Sequence, residues 1–297
     1  VERPSRARTI LEFVKIEHAL FALPFVLAGM IEGFRERGVP LRPTAEGARL
    51  LLLVLVAAVS ARTLAMTLNR IVDRGLDARN PRTAGRAIPA GLLSTRAAWA
   101  LAAVSLVLLV AASALLNPLV LALTPVLALL FFAYPYAKRV TWACHFVLGL
   151  AFLCAPAGGF LAVTGSFAGW TRVLPLSLAA MAWVSGFDII YALLDLPFDR
   201  ANEVRSVPAV FGEGPARRVA VGLHVLTVLL LAIYARLAGL GWPMYLAVVA
   251  IAALLAYEHA TVDPSDPVAI NKAFFQVNAV VGWVALAGVA AALWLAA

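Results

Sequence analysis

Long apolar runs separated by short polar links dominate this chain, and their lengths predict nine membrane helices. The runs lie at Ile16–Phe34, Ala48–Asn69, Ala97–Leu116, Leu119–Ala137, Thr141–Val163, Val173–Asp195, Ala216–Ala238, Trp242–His259 and Ala273–Ala297. Each is near the ~20 residues that cross a bilayer as helix. Arg3, Arg6 and Arg8 ahead of the first run imitate a signal peptide. Glu12 and Lys15 precede that run, Glu17 and His18 stand at its very start, and no small-residue cleavage site follows it, so the first run reads as an uncleaved span. The expected fold is all-α, a polytopic membrane bundle forming one domain over residues 1–297, with residues 1–15 as a cytoplasmic N-terminal segment.

Composition strengthens this picture. The 297 residues are 63% hydrophobic and 13% charged, against about 25% charged in soluble domains, and mean hydropathy is +0.92. The lipid bilayer is therefore the expected surrounding. A net charge of +8 fits cytoplasmic loops and anionic lipid and does not call for nucleic acid. No obligate protein partner is implied. Cys144 and Cys154 share one apolar run, roughly 15 Å apart along a helix, too far for a disulfide; they read as packing residues. The histidines stand singly at 18, 145, 224 and 259, without the spacing of a zinc or haem site.

Polar residues at the ends of two runs change the reading from membrane protein to membrane enzyme. Asn69, Asp73 and Asp77 recur every four residues after the second run, which places them on one face if the segment is helical. Tyr191, Asp195 and Asp199 repeat that spacing at the end of the sixth. Arg62 precedes Asn69 by seven residues and Asp188 precedes Asp195 by seven, two helical turns in each case, a weak internal repeat. Mg²⁺ takes oxygen ligands and commonly binds through one or two carboxylates plus substrate phosphate. Asp73 and Asp77, with the Asn69 carbonyl, would hold one ion, and Asp195 and Asp199 a second. Arg82, Arg86, Lys138 and Arg139 would grip a diphosphate. The plainer alternative is that each Asp pairs with a neighbouring Arg on a solvated helix end.

Loop charge gives an orientation. Arg70, Arg74, Arg79, Arg82, Arg86 and Arg96 follow the second run, Lys138 and Arg139 the fourth, and Arg200, Arg205, Arg217 and Arg218 the sixth. The positive-inside rule puts these links, and both Asp stretches, on the cytoplasmic side, in a bacterial inner membrane. Four crossings between the two stretches agree. Arg35, Arg37 and Arg42 after the first run, and Arg172 after the fifth, count against it.

The ordered motifs N-x-x-x-D-x-x-x-D at Asn69–Asp77, R-T-x-x-R at Arg82–Arg86, Y-P-Y-x-K-R at Tyr134–Arg139 and D-x-x-Y-A-x-x-D-x-x-x-D at Asp188–Asp199 resemble the UbiA family of intramembrane aromatic prenyltransferases. The likeness runs from about Lys15 to Asn278, and the branch acting on 4-hydroxybenzoate is nearest in pattern. It implies Mg²⁺-dependent transfer of a polyprenyl chain from its diphosphate to a ring carbon of an aromatic acid, as in quinone biosynthesis. It also implies an inner cavity lined by Arg62 and Asp188, Arg62 meeting the acceptor's carboxylate and Asp188 positioning or deprotonating the acceptor. Tyr134, Tyr136 and Tyr191 offer aromatic faces to an allylic cation. This chain has Arg70 where the family often has Asp, which removes one possible metal ligand.

Other residues read more plainly. Arg62 and Asp188 would alternatively pair with each other, and Tyr134 and Tyr136 would alternatively form an interfacial belt. His18 reads as interfacial, and Trp142, Trp170 and Trp242 as interface anchors. Gly158 and Gly159 fit close helix packing, and Asn278 a hydrogen bond across helices. A CDP-alcohol phosphotransferase would need D-G-x-x-A-R ahead of its Asp element, which is absent. A naphthoate acceptor in menaquinone synthesis, haem farnesylation and a proton-coupled secondary transporter are the remaining alternatives.

Overall fold

The computed structural model describes residues 6–14, 19–39, 44–262, 270 and 277–296. Every regular element among them is helical: α1 (Arg6–Val14), α2 (Ala19–Glu36), α3 (Ala45–Arg79), α4 (Thr95–Leu116), α5 (Pro118–Val140), α6 (Cys144–Thr164), α7 (Trp170–Ala192), α8 (Leu196–Ala201), α9 (Val207–Phe211), α10 (Glu213–Leu237), α11 (Trp242–Thr261) and α12 (Asn278–Trp294). Seven of them, α3 to α7, α10 and α11, are long and apolar enough to cross a membrane. The first and ninth predicted spans coincide with α2, which carries Glu32, Arg35 and Glu36 in its 18 residues, and with α12, which has 17 described residues. His18 lies outside the described residues, as does Arg42.

The chain forms two compact units, Val1–Ala19 with Pro43–Tyr136, and Leu20–Arg42 with Ala137–Ala297. In the first unit α3 and α4 pack along each other. Both are capped at the start by a hydroxyl, Thr44 accepting from the Gly47 amide and Ser94 from the Ala97 amide. Phe13 and Val14 of α1 bury against Ile71 and Ala98, with Ile88 and Leu93 of the following loop packed on them. The N-terminal segment is thus a short helix laid beside the polar end of α3. Val107, Val126 and Leu129 stay exposed, as lipid-facing positions do.

The second unit is built around α7, whose buried residues run on every side of the helix. Small residues let its neighbours approach. A Cβ on Gly149 of α6 would strike Ser185 and Met181, and one on Gly186 of α7 would strike His224 of α10. Gly159 packs against the Val26 backbone of α2 as expected, whereas Gly158 has open space beside it. Asn278 does bond across helices. It accepts from Trp183 Nε1 at 2.7 Å and donates to Glu258 at 2.8 Å.

Charges that counted against the orientation have local partners at the other end of this unit. Arg35 holds buried Glu32 through both carboxylate oxygens, at 2.8 and 2.9 Å, and donates to the Ala238 carbonyl beyond α10. Tyr234 also donates to Glu32. Arg37 donates to the Val163 carbonyl near the end of α6, and Arg172 pairs with Glu36. These arginines neutralise acids and cap helix ends, where the dipole is negative.

Candidate active site

The first Asp stretch lies on unbroken helix. α3 does not stop at Asn69, where hydropathy falls; it continues ten residues to Arg79. Asn80 and Pro81 end it. The Asn80 side chain accepts from the Arg82 amide, and turns through Thr83, Arg86 and Gly91 carry the chain to α4. Asn69, Asp73 and Asp77 therefore do ride one face, a turn apart. Asn69 is half-buried, while Asp73 and Asp77 are buried at 1% and 6% exposure, so these are not solvated helix-end carboxylates.

Part of the plainer alternative holds at Asp77. Arg86 Nη1 donates to its Oδ1 at 2.6 Å, and Arg70 Nη1 lies 4.0 Å from its Oδ2. Thr83 donates to the Asp77 carbonyl at 3.1 Å. Arg86, expected on a phosphate, is thus engaged with a carboxylate, and Arg70 brings a buried positive charge to the same group. Arg82 is exposed, Arg62 half-buried deeper in α3, and Tyr134 half-buried on α5.

The second stretch keeps the spacing but not the helix. α7 ends at Ala192, three residues short of the predicted Asp195, and a 3-10 turn spans Leu193–Asp195 before α8. Pro197 accounts for the break: it has no N–H for the Leu193 carbonyl and its ring would crowd it. The Leu196 amide takes that carbonyl instead. The two-turn relation expected between Asp188 and Asp195 is interrupted here. Asp199 is buried at 8% and accepts from Ser206 Oγ at 3.1 Å. Asp195 and Lys138 act electrostatically on its carboxylate. The Lys138 carbonyl accepts the Arg205 amide at 2.7 Å, tying this loop to the end of α5. Arg139 is exposed and Tyr191 half-buried.

Two residues of this region escaped the sequence reading. His145, taken as solitary, is 2% exposed and its Nδ1 lies 2.6 Å from Asp188 Oδ2. Ser206 holds Asp199 while also capping α9 through the Ala209 amide. His145 stands in the first turn of α6, but nothing local in the sequence marks its partner. His224 and His259 are not solitary either, their rings bonding at 2.9 Å.

The donors suit Mg²⁺. All are hard oxygens, and Asp77 Oδ2 is buried without a hydrogen-bond partner. Among the described residues no three His, Cys, Asp or Glu side chains form a ready-made cage.

Comparison with known proteins agrees on the family. The model of the UbiA prenyltransferase family matches residues 22–280. The chain is 32% identical over 238 residues to a 4-hydroxybenzoate octaprenyltransferase of Enterobacter sp. (strain 638), covering 78% of this chain and 79% of that protein. It is 30% identical over 244 residues to the enzyme of the same name from Aeromonas hydrophila, covering 80% and 82%. The solved apo UbiA homologue from Aeropyrum pernix K1 superposes with a TM-score of 0.81 at 29% identity, over 95% of this chain and 98% of that one. A UbiA homologue from Archaeoglobus fulgidus, bound to GPP and Mg²⁺, shares the fold with a TM-score of 0.71 at 20% identity, over 95% and 99%.

Proposed function

This chain belongs to the UbiA prenyltransferase family, and from that premise we propose that it transfers a polyprenyl chain from its diphosphate to a ring carbon of 4-hydroxybenzoate. The observation that carries the acceptor is the one-third identity, over about four-fifths of both chains, to an enzyme named for that substrate. In the transfer the prenyl C–O bond breaks and its electron pair leaves with diphosphate. A ring carbon bonds to the freed prenyl carbon, and the ring gives up one proton.

Asn69, Asp73 and Asp77, and separately Asp195 and Asp199, would hold Mg²⁺, the ion bound together with GPP in the A. fulgidus homologue. The ion supplies positive charge to the departing diphosphate. Arg82, Arg86, Lys138 and Arg139 add charge-assisted hydrogen bonds to phosphate oxygens, stabilising charge where it develops. Release of Arg86 from Asp77 is part of this reading. Tyr134 and Tyr191 offer ring faces to the allylic fragment. Arg62 meets the acceptor's carboxylate, its planar fork matching that group, and Asp188 positions or deprotonates the acceptor. Burial among helices keeps water from the cation.

The chain spans a bacterial cytoplasmic membrane nine times in this reading, both Asp stretches facing the cytoplasm.

The test is transfer of label from one long radiolabelled prenyl diphosphate in isolated membranes, with Mg²⁺ and a panel of aromatic acids. Label should enter a 4-hydroxybenzoate product and stop doing so when the metal is chelated. Preference for a naphthoate would move the acceptor and keep the reaction. Transfer to none of the acids would overturn the proposal.

A further inference from the structure

His145 has no part in the reaction outlined above, yet its two ring nitrogens join Asp188, which does, to the loop that opens α9. Its Nδ1 lies 2.6 Å from Asp188 Oδ2. Its Nε2 lies 3.3 Å from the Val207 amide, which donates to it. A backbone N–H can only donate, so Nε2 is the accepting nitrogen. The neutral ring then carries its proton on Nδ1 and gives it to the Asp188 carboxylate in a hydrogen bond. The adjacent residue, Ser206, donates to Asp199 Oδ2. One buried imidazole thus connects the deep carboxylate of α7 to the loop that holds the second Asp stretch.

Around it the ring is fixed. Ser185 Oγ lies 3.2 Å from the His145 carbonyl, as donor, and a Cβ on Gly149 one turn along would collide with the same serine. Asp188 keeps 22% of its side-chain surface exposed while its histidine keeps 3%. A carboxylate with one oxygen held from behind and part of its surface open is placed to receive a ligand. A histidine serving only to fill space in an apolar span would not need a carboxylate beside it, since such groups are costly at that depth.

We infer that His145 is a positioning residue: it holds Asp188 in one orientation toward the aromatic acceptor. This rests on the prenyl-transfer reading and extends it to a residue outside the Asp motifs. Two isosteric replacements separate its two bonds. Asparagine can place an amide N–H where Nδ1 stands, keeping Asp188 and losing Val207. Glutamine reaches the Nε2 position, keeping Val207 and losing Asp188.

The experiment measures steady-state transfer by wild type, His145→Asn and His145→Gln, varying acceptor and prenyl diphosphate separately, with detergent thermal unfolding as the folding control. Loss of a charge-assisted hydrogen bond predicts that His145→Gln lowers acceptor kcat/KM roughly tenfold to a hundredfold. KM for prenyl diphosphate should stay unchanged, and His145→Asn should recover most of the loss. In an Asp188→Asn background, His145→Gln should cost nothing further, a readout that a purely structural role would not give. The reverse order of the two variants, wild-type rates in both, or a full additional loss in the Asp188→Asn background would each overturn the inference. If instead the wild type transfers to no aromatic acid, the prenyl-transfer reading fails, and this inference with it.

Discussion

In the first Asp stretch, Asn69, Asp73 and Asp77 sit on successive turns of a single helix, whereas the same spacing in the second runs through the end of α7, a 3-10 turn and the short helix α8. The first pair is oriented by continuous backbone and flanked by guanidinium groups, Arg86 at 2.6 Å and Arg70 at 4.0 Å from Asp77. The second is oriented by side chains and loop contacts: Ser206 on Asp199, and Arg205 bonded to the Lys138 carbonyl. A four-residue interval therefore does not fix a geometry. On regular helix it aligns two carboxylates; across a proline break it re-aims the second one. The comparison assigns the first stretch the stiffer role and the second the role that depends on its loop.

The largest effect should come from the carboxylates themselves. Asp73→Ala and Asp195→Ala should each nearly abolish transfer while the proteins still unfold cooperatively in detergent, because a methyl group cannot replace a charged ligand. Wild-type turnover in either would reduce that stretch to a structural helix end.

Arg62→Lys should come next, raising the acceptor's KM by about one to two decades, the cost of a charge-assisted hydrogen bond, with KM for prenyl diphosphate nearly unchanged. An acceptor lacking the carboxylate should lose a similar amount with wild-type enzyme and little more with the variant. Equal responses of both acceptors would mean that Arg62 does not read the carboxylate.

Pro197→Ala separates the two stretches directly. Allowing α7 to run on would shift Asp199, and turnover should fall roughly tenfold, below the about hundredfold that an ångström of misplacement can cost. Unchanged turnover would show that the break is incidental. Ser206→Ala should do least, a loss of several-fold from one hydrogen bond worth about 1 kcal/mol. A loss as large as that of Asp195→Ala would make Ser206 a member of the site rather than its support.

Hydropathy located the helices well because lipid demands long uninterrupted apolar runs. It lost α3 beyond Asn69 because the next turns mix Arg and Asp with Ile71 and Leu76, a helical pattern no longer dominated by apolar residues. The four-residue recurrence recovered what hydropathy missed there. At Asp195 and Asp199 the same recurrence misled, since Pro197 outweighs periodicity. His145–Asp188 and His224–His259 were invisible for another reason. Their partners lie 43 and 35 residues away, on different helices, and no local pattern marks such pairs. The partners of the arginines at 35, 37 and 172, namely Glu32, Glu36 and helix-end carbonyls, were out of reach for the same reason, being settled by packing.

The central proposal is that both Asp stretches act on the same departing diphosphate, and binding tests it without chemistry. The affinity of a non-reactive prenyl diphosphate analogue would be measured with Mg²⁺ and no acceptor, for wild type, Asp73→Ala, Asp195→Ala and the double variant. Groups working as one unit are non-additive, so each single variant should bind far more weakly than wild type, and the double should be scarcely weaker than the worse single. Independent, additive losses, or wild-type affinity in either single variant, would contradict it.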